Sequence, residues 1–175
     1  DFGIKAFMTY QIGENNRLTF GGDFKDLTIQ PGELIPSSEQ ESGILPKKVQ
    51  DEFGRESGVH FQHELEFGEK IGISYGLRYD MYQYLGPRTV RQYAENQPKS
   101  EGSAISERSY ADGENIISYD GLGPRGSIRY SLSKYSSIKA GYNKMYQFIH
   151  LISNTATIAP TDVWKLSDEF LKPQI

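Results

Sequence analysis

The chain has 175 residues, room for one domain with a real core, yet only 37% are hydrophobic and the mean hydropathy is −0.58. It contains no cysteine, which excludes a disulfide framework, a thiolate metal site and a cysteine nucleophile. A net charge of −4 with a pI near 5.4 argues against a nucleic-acid binder, which needs a broad basic surface.

No apolar run approaches the roughly 18 residues of a membrane helix, but a barrel strand needs only about 9–11 alternating residues, so a membrane stays open. Asp1 leads straight into FGIKAFMTYQI without a signal peptide, and the expectation is a chain that begins partway through a fold.

Alternation predicts a first hairpin over 1–29. Phe2, Ile4, Ala6, Met8, Tyr10 and Ile12 share one face, Gly13-Glu14-Asn15-Asn16 turns the chain, and Leu18, Phe20, Gly22 and Phe24 return. Residues 30–53, with Pro31, Pro36 and Pro46, read as a long polar connection. A second hairpin is predicted over 54–84. Val59, Phe61, Leu65 and Phe67 precede the turn Gly68-Glu69-Lys70, and Ile71, Ile73, Tyr75, Leu77, Tyr79 and Met81 follow it. Residues 85–121 show no periodicity and read as a second long loop.

The third hairpin is predicted over 122–150. Ile128, Tyr130 and Leu132 lead to a break at 133–136, and Ile138, Ala140, Tyr142, Tyr146 and Phe148 share the apolar parity beyond it. Residues 151–175 form a third long segment, in which Thr161 to Leu171 is expected to form a short helix capped by Thr161.

Tight turns thus alternate with long excursions. In an up-and-down meander all the tight turns fall at one end of the sheet and all the long loops at the other, as in outer-membrane barrels. The fold expected is all-β: an antiparallel meander of about six strands forming part of a large transmembrane barrel. Six strands cannot close a barrel whose smallest common form has about eight, so further strands are expected in the parent protein.

The polar parity places Arg78, Asp80, Arg125, Arg129, Lys139, Asn143 and Gln147, with Glu64 and Glu66, toward a wet lumen. His63 and Lys144 fall on the apolar parity and fit poorly. The lumenal charges admit two readings: wall residues solvated or salt-bridged to a plug, and direct contacts to an anionic substrate in passage. Tyr82, Tyr84, Tyr93 and Trp164 lie at or beyond the long-loop end, either as stacking contacts for a ligand or as interfacial anchors.

Catalytic patterns are weak. Gly121-Leu122-Gly123-Pro124-Arg125-Gly126 matches a dinucleotide fingerprint in letters, but a strand follows it where a helix is required. His60 and His63 point to opposite faces of a strand, which disfavours a metal pair. Glu64 and Glu66 share a face but lack the partner geometry of glycosidase carboxylates, and no G-x-S-x-G elbow occurs. No catalytic residue, cofactor or metal is expected.

The run Ile138-Lys139-Ala140-Gly141-Tyr142-Asn143-Lys144-Met145-Tyr146-Gln147-Phe148-Ile149-His150, then Asn154-Thr155-Ala156 and Pro160-Thr161-Asp162-Val163-Trp164-Lys165-Leu166-Ser167, resembles the barrel of TonB-dependent outer-membrane receptors. Lys172-Pro173-Gln174 is similar to the family's lead into a following strand, and Gly76-Leu77-Arg78-Tyr79 is similar as well. The resemblance implies a barrel of about 22 strands with a plugged lumen. It also implies energised import of a scarce nutrient (siderophore, vitamin, glycan or peptide) across a Gram-negative outer membrane. Its partners would be outer-membrane lipid, the TonB energy-coupling complex reached through an N-terminal region and, in some cases, a surface lipoprotein. Plug and TonB box are not among these residues, and none of them maps onto a motif known to bind ligand. The alternatives are a soluble or surface-displayed β-sandwich binding module and a structural outer-membrane barrel without TonB coupling. An enzyme ranks last.

Overall fold

The computed structural model describes residues 2–31, 33–34, 47–48, 50–94, 96, 101–152 and 163–175. Six strands form one antiparallel sheet in the order β1 (Phe2–Ile12), β2 (Asn16–Ile29), β5 (Glu52–Phe67), β6 (Ile71–Leu85), β9 (Asn115–Ser133) and β10 (Ser136–Asn143). Each strand lies beside its predecessor in that order, so the sheet is a meander open at β1 and β10. Three two-stranded ribbons decorate it: β3 (Glu33–Leu34) with β4 (Lys47–Lys48), β7 (Arg88–Tyr93) with β8 (Ala104–Tyr110), and β11 (Ile149–Ile152) with β12 (Val163–Leu166).

The three tight connections fall where predicted, within a residue, and all lie at one end of the sheet. Gly13 and Gly68 take φ of +65° and +58° in the first two, a backbone state that costs glycine little. The connections between β2 and β5 and between β6 and β9 leave from the opposite end.

Several boundaries differ from the sequence reading. Strand β9 starts at Asn115, not 122, and β5 at Glu52. The segment read as aperiodic carries the β7–β8 ribbon, held by polar cross-strand pairs: Arg91 to Glu107 at 2.7 Å, Ser106 to Gln92 at 2.8 Å and Thr89 to Ser109 at 3.1 Å. With polar residues on both faces, such a ribbon carries little hydrophobic alternation. Residues 163–166 form a strand where a helix was expected, because β11 offers a backbone edge to pair with. The expected cap Thr161 and the motif residues 154–156 and 160–162 lie outside the described residues.

The third hairpin ends at Asn143 instead of 150. Pro124 on β9 accepts a hydrogen bond from the Lys144 N–H at 3.0 Å but has no N–H to return, so the β9–β10 ladder stops at the Arg125–Asn143 pair. The chain then crosses the sheet over Gly121 and Gly123, where any Cβ would collide with the Tyr146 ring and crowd the Lys144 carbonyl. Tyr146 and Phe148 consequently leave the apolar parity and pack on the opposite face.

Cross-strand register defines two chemically distinct faces. One row runs Met8, Phe20, Phe61, Leu77, Pro124; the next runs Tyr10, Leu18, His63, Tyr75, Gly126, Tyr142. This outer face carries no Asp, Glu, Lys or Arg from Ile71 to Met81 on β6 or across from it on β5. Its side chains are nonetheless open, Leu77 at 47% and Tyr142 at 65%. The small core lies instead on the polar, inner face, at the long-loop end, where Leu27, Tyr82, Tyr84, Phe148 and Leu166 cluster.

Candidate functional site

The inner face is a wall of charged and small residues. Register brings Arg78, Asp80, Arg125, Arg129, Lys139 and Asn143 to it, with Glu64 and Glu66. Arg78 anchors its centre: its guanidinium grips Asp23 at 2.7 and 3.0 Å and Asp80 at 2.6 Å. The forked guanidinium makes such paired contacts stronger than single ones. Gly58 lies beneath this guanidinium, and a Cβ there would collide with it. Arg129 binds Glu66 at 2.9 Å, Arg17 reaches Glu64 at 3.3 Å, and Lys25 reaches Glu56 at 3.6 Å.

Gln147 does not join this wall. It lies beyond the end of β10, where its backbone forms a bridge with Gln174 and its amide donates to the Ile149 carbonyl at 2.6 Å. The two residues that fitted the apolar parity poorly have local explanations. The His63 ring meets the Tyr75 hydroxyl at 2.8 Å on the outer face, and Lys144 sits past the strand with its ammonium over the Tyr146 ring. His60 lies on the inner face against Gly21, so the two histidines occupy opposite faces as predicted. Among the described residues no group of three or more His, Cys, Asp or Glu is placed to hold a metal.

At the long-loop end the chain's own C-terminal segment is docked on the inner face. Glu52, 4% exposed, receives Lys165 at 2.9 Å, Arg88 at 3.2 Å and the Leu166 backbone N–H at 2.8 Å. Phe148 stacks flat on Tyr82 at 4.7 Å, and the Tyr82 hydroxyl donates to the Ser167 carbonyl at 2.9 Å. His150 meets the Ser167 hydroxyl at 2.8 Å, and Tyr119 donates to the Asp168 carbonyl at 2.8 Å. Burial opposes ionisation of Asp168. The Lys165 ammonium and the backbone N–H groups of Leu171 and Phe170 outweigh it and hold the carboxyl below its ordinary value. Burial, with Lys165 nearby, depresses His150 in spite of the Asp168 charge.

Of the four aromatic residues expected as ligand contacts, Tyr82 and Tyr84 are each 1% exposed, so neither has a free ring face. They continue the inner parity of β6, which the C-terminal segment covers. Tyr93 is half-buried beside Phe170, their centroids 6.2 Å apart, in a cavity of about 430 Å³ shared with Arg88, Val90 and Ile116. Trp164 is exposed on β12. The sequence reading missed the docked segment and its anchor Glu52. In the sequence Glu52 fell within the polar connection 30–53, where a carboxylate is indistinguishable from a surface residue.

No protein-family model, curated protein or solved structure matches the chain. No described helix is long and apolar enough to cross a membrane, a statement that does not bear on β-barrels.

Proposed function

We propose that the chain forms part of the wall of a large outer-membrane β-barrel, its apolar face toward lipid and its charged face toward a wet lumen. The observation that carries this is the segregation of the two faces. On β6 the eleven-residue stretch Ile71–Met81 turns Ile71, Ile73, Tyr75, Leu77, Tyr79 and Met81 outward. At about 3.4 Å per residue and a barrel tilt near 45°, such a stretch crosses roughly 25 Å, the height of a barrel's apolar band. Arg55 and Asp26, paired at 2.9 Å, cap the band at its long-loop end.

Water is a poor solvent for this face. The central strands alone leave Tyr75, Leu77, Tyr79, Met81, Leu122, Ile128 and Tyr130 substantially open. At roughly 1 kcal/mol for each half-exposed side chain, the total is of the same order as the 5–15 kcal/mol by which a whole domain is stable. A β-sandwich would cover that face with a second layer, but here the packed segment lies on the charged face. In lipid, the open edges at β1 and β10 would take further strands, because unpaired backbone is not tolerated there.

The resemblance over 138–167 narrows the proposal to a TonB-dependent receptor. Its barrel would hold a plug and import a scarce nutrient, energised through the TonB complex and, in one variant, assisted by a surface lipoprotein. The chain would do no covalent chemistry itself. Cell fractionation tests this. The polypeptide is expected in the outer membrane, resistant to urea extraction and shifted on electrophoresis by heating. A soluble polypeptide would overturn the proposal and favour the sandwich.

A further inference from the structure

We propose that Arg125 forms an oxyanion-binding step on the inner wall, taking the carboxylate or phosphate group of a small solute; this rests on the lumenal reading of that face. The inner-wall arginines Arg17, Arg78 and Arg129 are each within 3.3 Å of a carboxylate. Arg125 has no such partner among the described residues, and its buried Nε has no hydrogen-bond acceptor.

The space beside it suits an anion. Arg125 lines a depression of about 320 Å³ with Gln62, Ser74, Ser127, Gly141 and Asn143, a lining without any carboxylate. The guanidinium offers a planar fork of donors matched to two oxygens of a carboxylate or phosphate. Asn143, its direct cross-strand partner, and Ser127, two residues along the same face, add an amide and a hydroxyl. Gly141 on β10 adds no side chain to the lining.

Arg125 also borders a smaller depression that contains Asp80 and Glu56, but those carboxylates are committed to Arg78 at 2.6 Å and Lys25 at 3.6 Å. A cation desolvated on one side, with free donors around it and no counter-charge, has an oxyanion as its natural complement.

These 175 residues contain no cysteine, so no thiol of their own competes with one introduced here, and any cysteine elsewhere in the parent protein is first replaced by serine. Ser127→Cys in the full-length protein, reconstituted in phosphatidylcholine vesicles, is to be reacted with an anionic sulfonatoethyl and a cationic trimethylammonioethyl methanethiosulfonate. The expected result is a rate ratio favouring the anionic reagent over that for free cysteine. Adding Arg125→Gln should cut the ratio roughly tenfold, the effect of one charge at close range. Citrate and inorganic phosphate should each be tried as protectants, and the one that protects identifies the oxyanion.

Reaction of the Ser127→Cys thiol with both reagents at the free-cysteine ratio, unchanged by Arg125→Gln, would overturn the anion site while leaving a wet lumen standing. No reaction with either reagent, beside ready reaction of Leu77→Cys, would overturn both.

Discussion

On strand β6, Tyr75, Leu77, Tyr79 and Met81 stand open on one face, while Gly76, Asp80, Tyr82 and Tyr84 on the other are covered by ion pairs and by the returning chain. Neighbouring residues of one strand thus meet opposite environments. The usual pairing of core with apolar face is inverted, since the packed cluster and the salt bridges share the charged face and the apolar face stands open. The proposed barrel would place hydrocarbon against the apolar side of this sheet. The difference also teaches where the molecule's own packing energy resides: at the loop end of the inner face, under Leu166 and Phe148.

The largest effect is expected at Glu52. Glu52→Ala would leave Arg88 without its carboxylate and the buried Leu166 N–H without its acceptor, while Lys165 keeps Asp168 at 2.7 Å, an expected loss of about 3 kcal/mol from the docking of the C-terminal segment. Limited proteolysis should cut residues 163–175 in the variant and spare them in the parent. On the outer face, Leu77→Arg places a charge near the middle of the apolar band and should cost about 2–4 kcal/mol in lipid. Ser74→Arg, on the inner face of the same strand, should cost under about 1 kcal/mol, since the proposal sets that wall in water. Denaturant unfolding from vesicles measures both, and equal costs would erase the distinction between faces.

A smaller effect is expected from Asp23→Asn, which leaves the Arg78 guanidinium with Asp80 alone. The loss should be about 1–2 kcal/mol by the same unfolding measurement.

The docked segment should also respond to pH. His150 is depressed below its ordinary 6.5 and Asp168 below 3.8. A depressed histidine is more readily neutral when folded, so its contribution is full above pH 6.5 and is lost as pH falls through its folded value. A depressed carboxyl contributes fully above its unfolded value and loses that contribution at still lower pH. Docking should therefore weaken in two steps on acidification, and His150→Gln should remove the upper one; a protection profile flat from about pH 7 to 5 would deny the histidine its role.

How much of this was visible in the sequence depends on which force set each element. Strands β1, β2, β6 and most of β5 followed from strict alternation, because apolar side chains line one face of the sheet and polar ones the other. The six wall residues from Arg78 to Asn143 followed from the same parity. Gln147 did not, since Pro124 ends the ladder before it is reached, and a proline's effect on a neighbouring strand depends on register, which hydropathy does not encode. The β7–β8 ribbon was invisible because polar pairs hold it. Tyr82 and Tyr84 were placed correctly on β6, but their burial depends on Leu166, far along the chain.

The central claim is the opposition of the two faces, and nitroxide scanning of single cysteines from Ile71 to Met81 in vesicles tests it most directly. Collision with oxygen, which concentrates in lipid, should peak at 71, 73, 75, 77, 79 and 81. Collision with a water-soluble nickel chelate should peak at the residues between, giving two period-two profiles out of phase. Profiles in phase, or a chelate profile highest at the odd positions, would contradict the account.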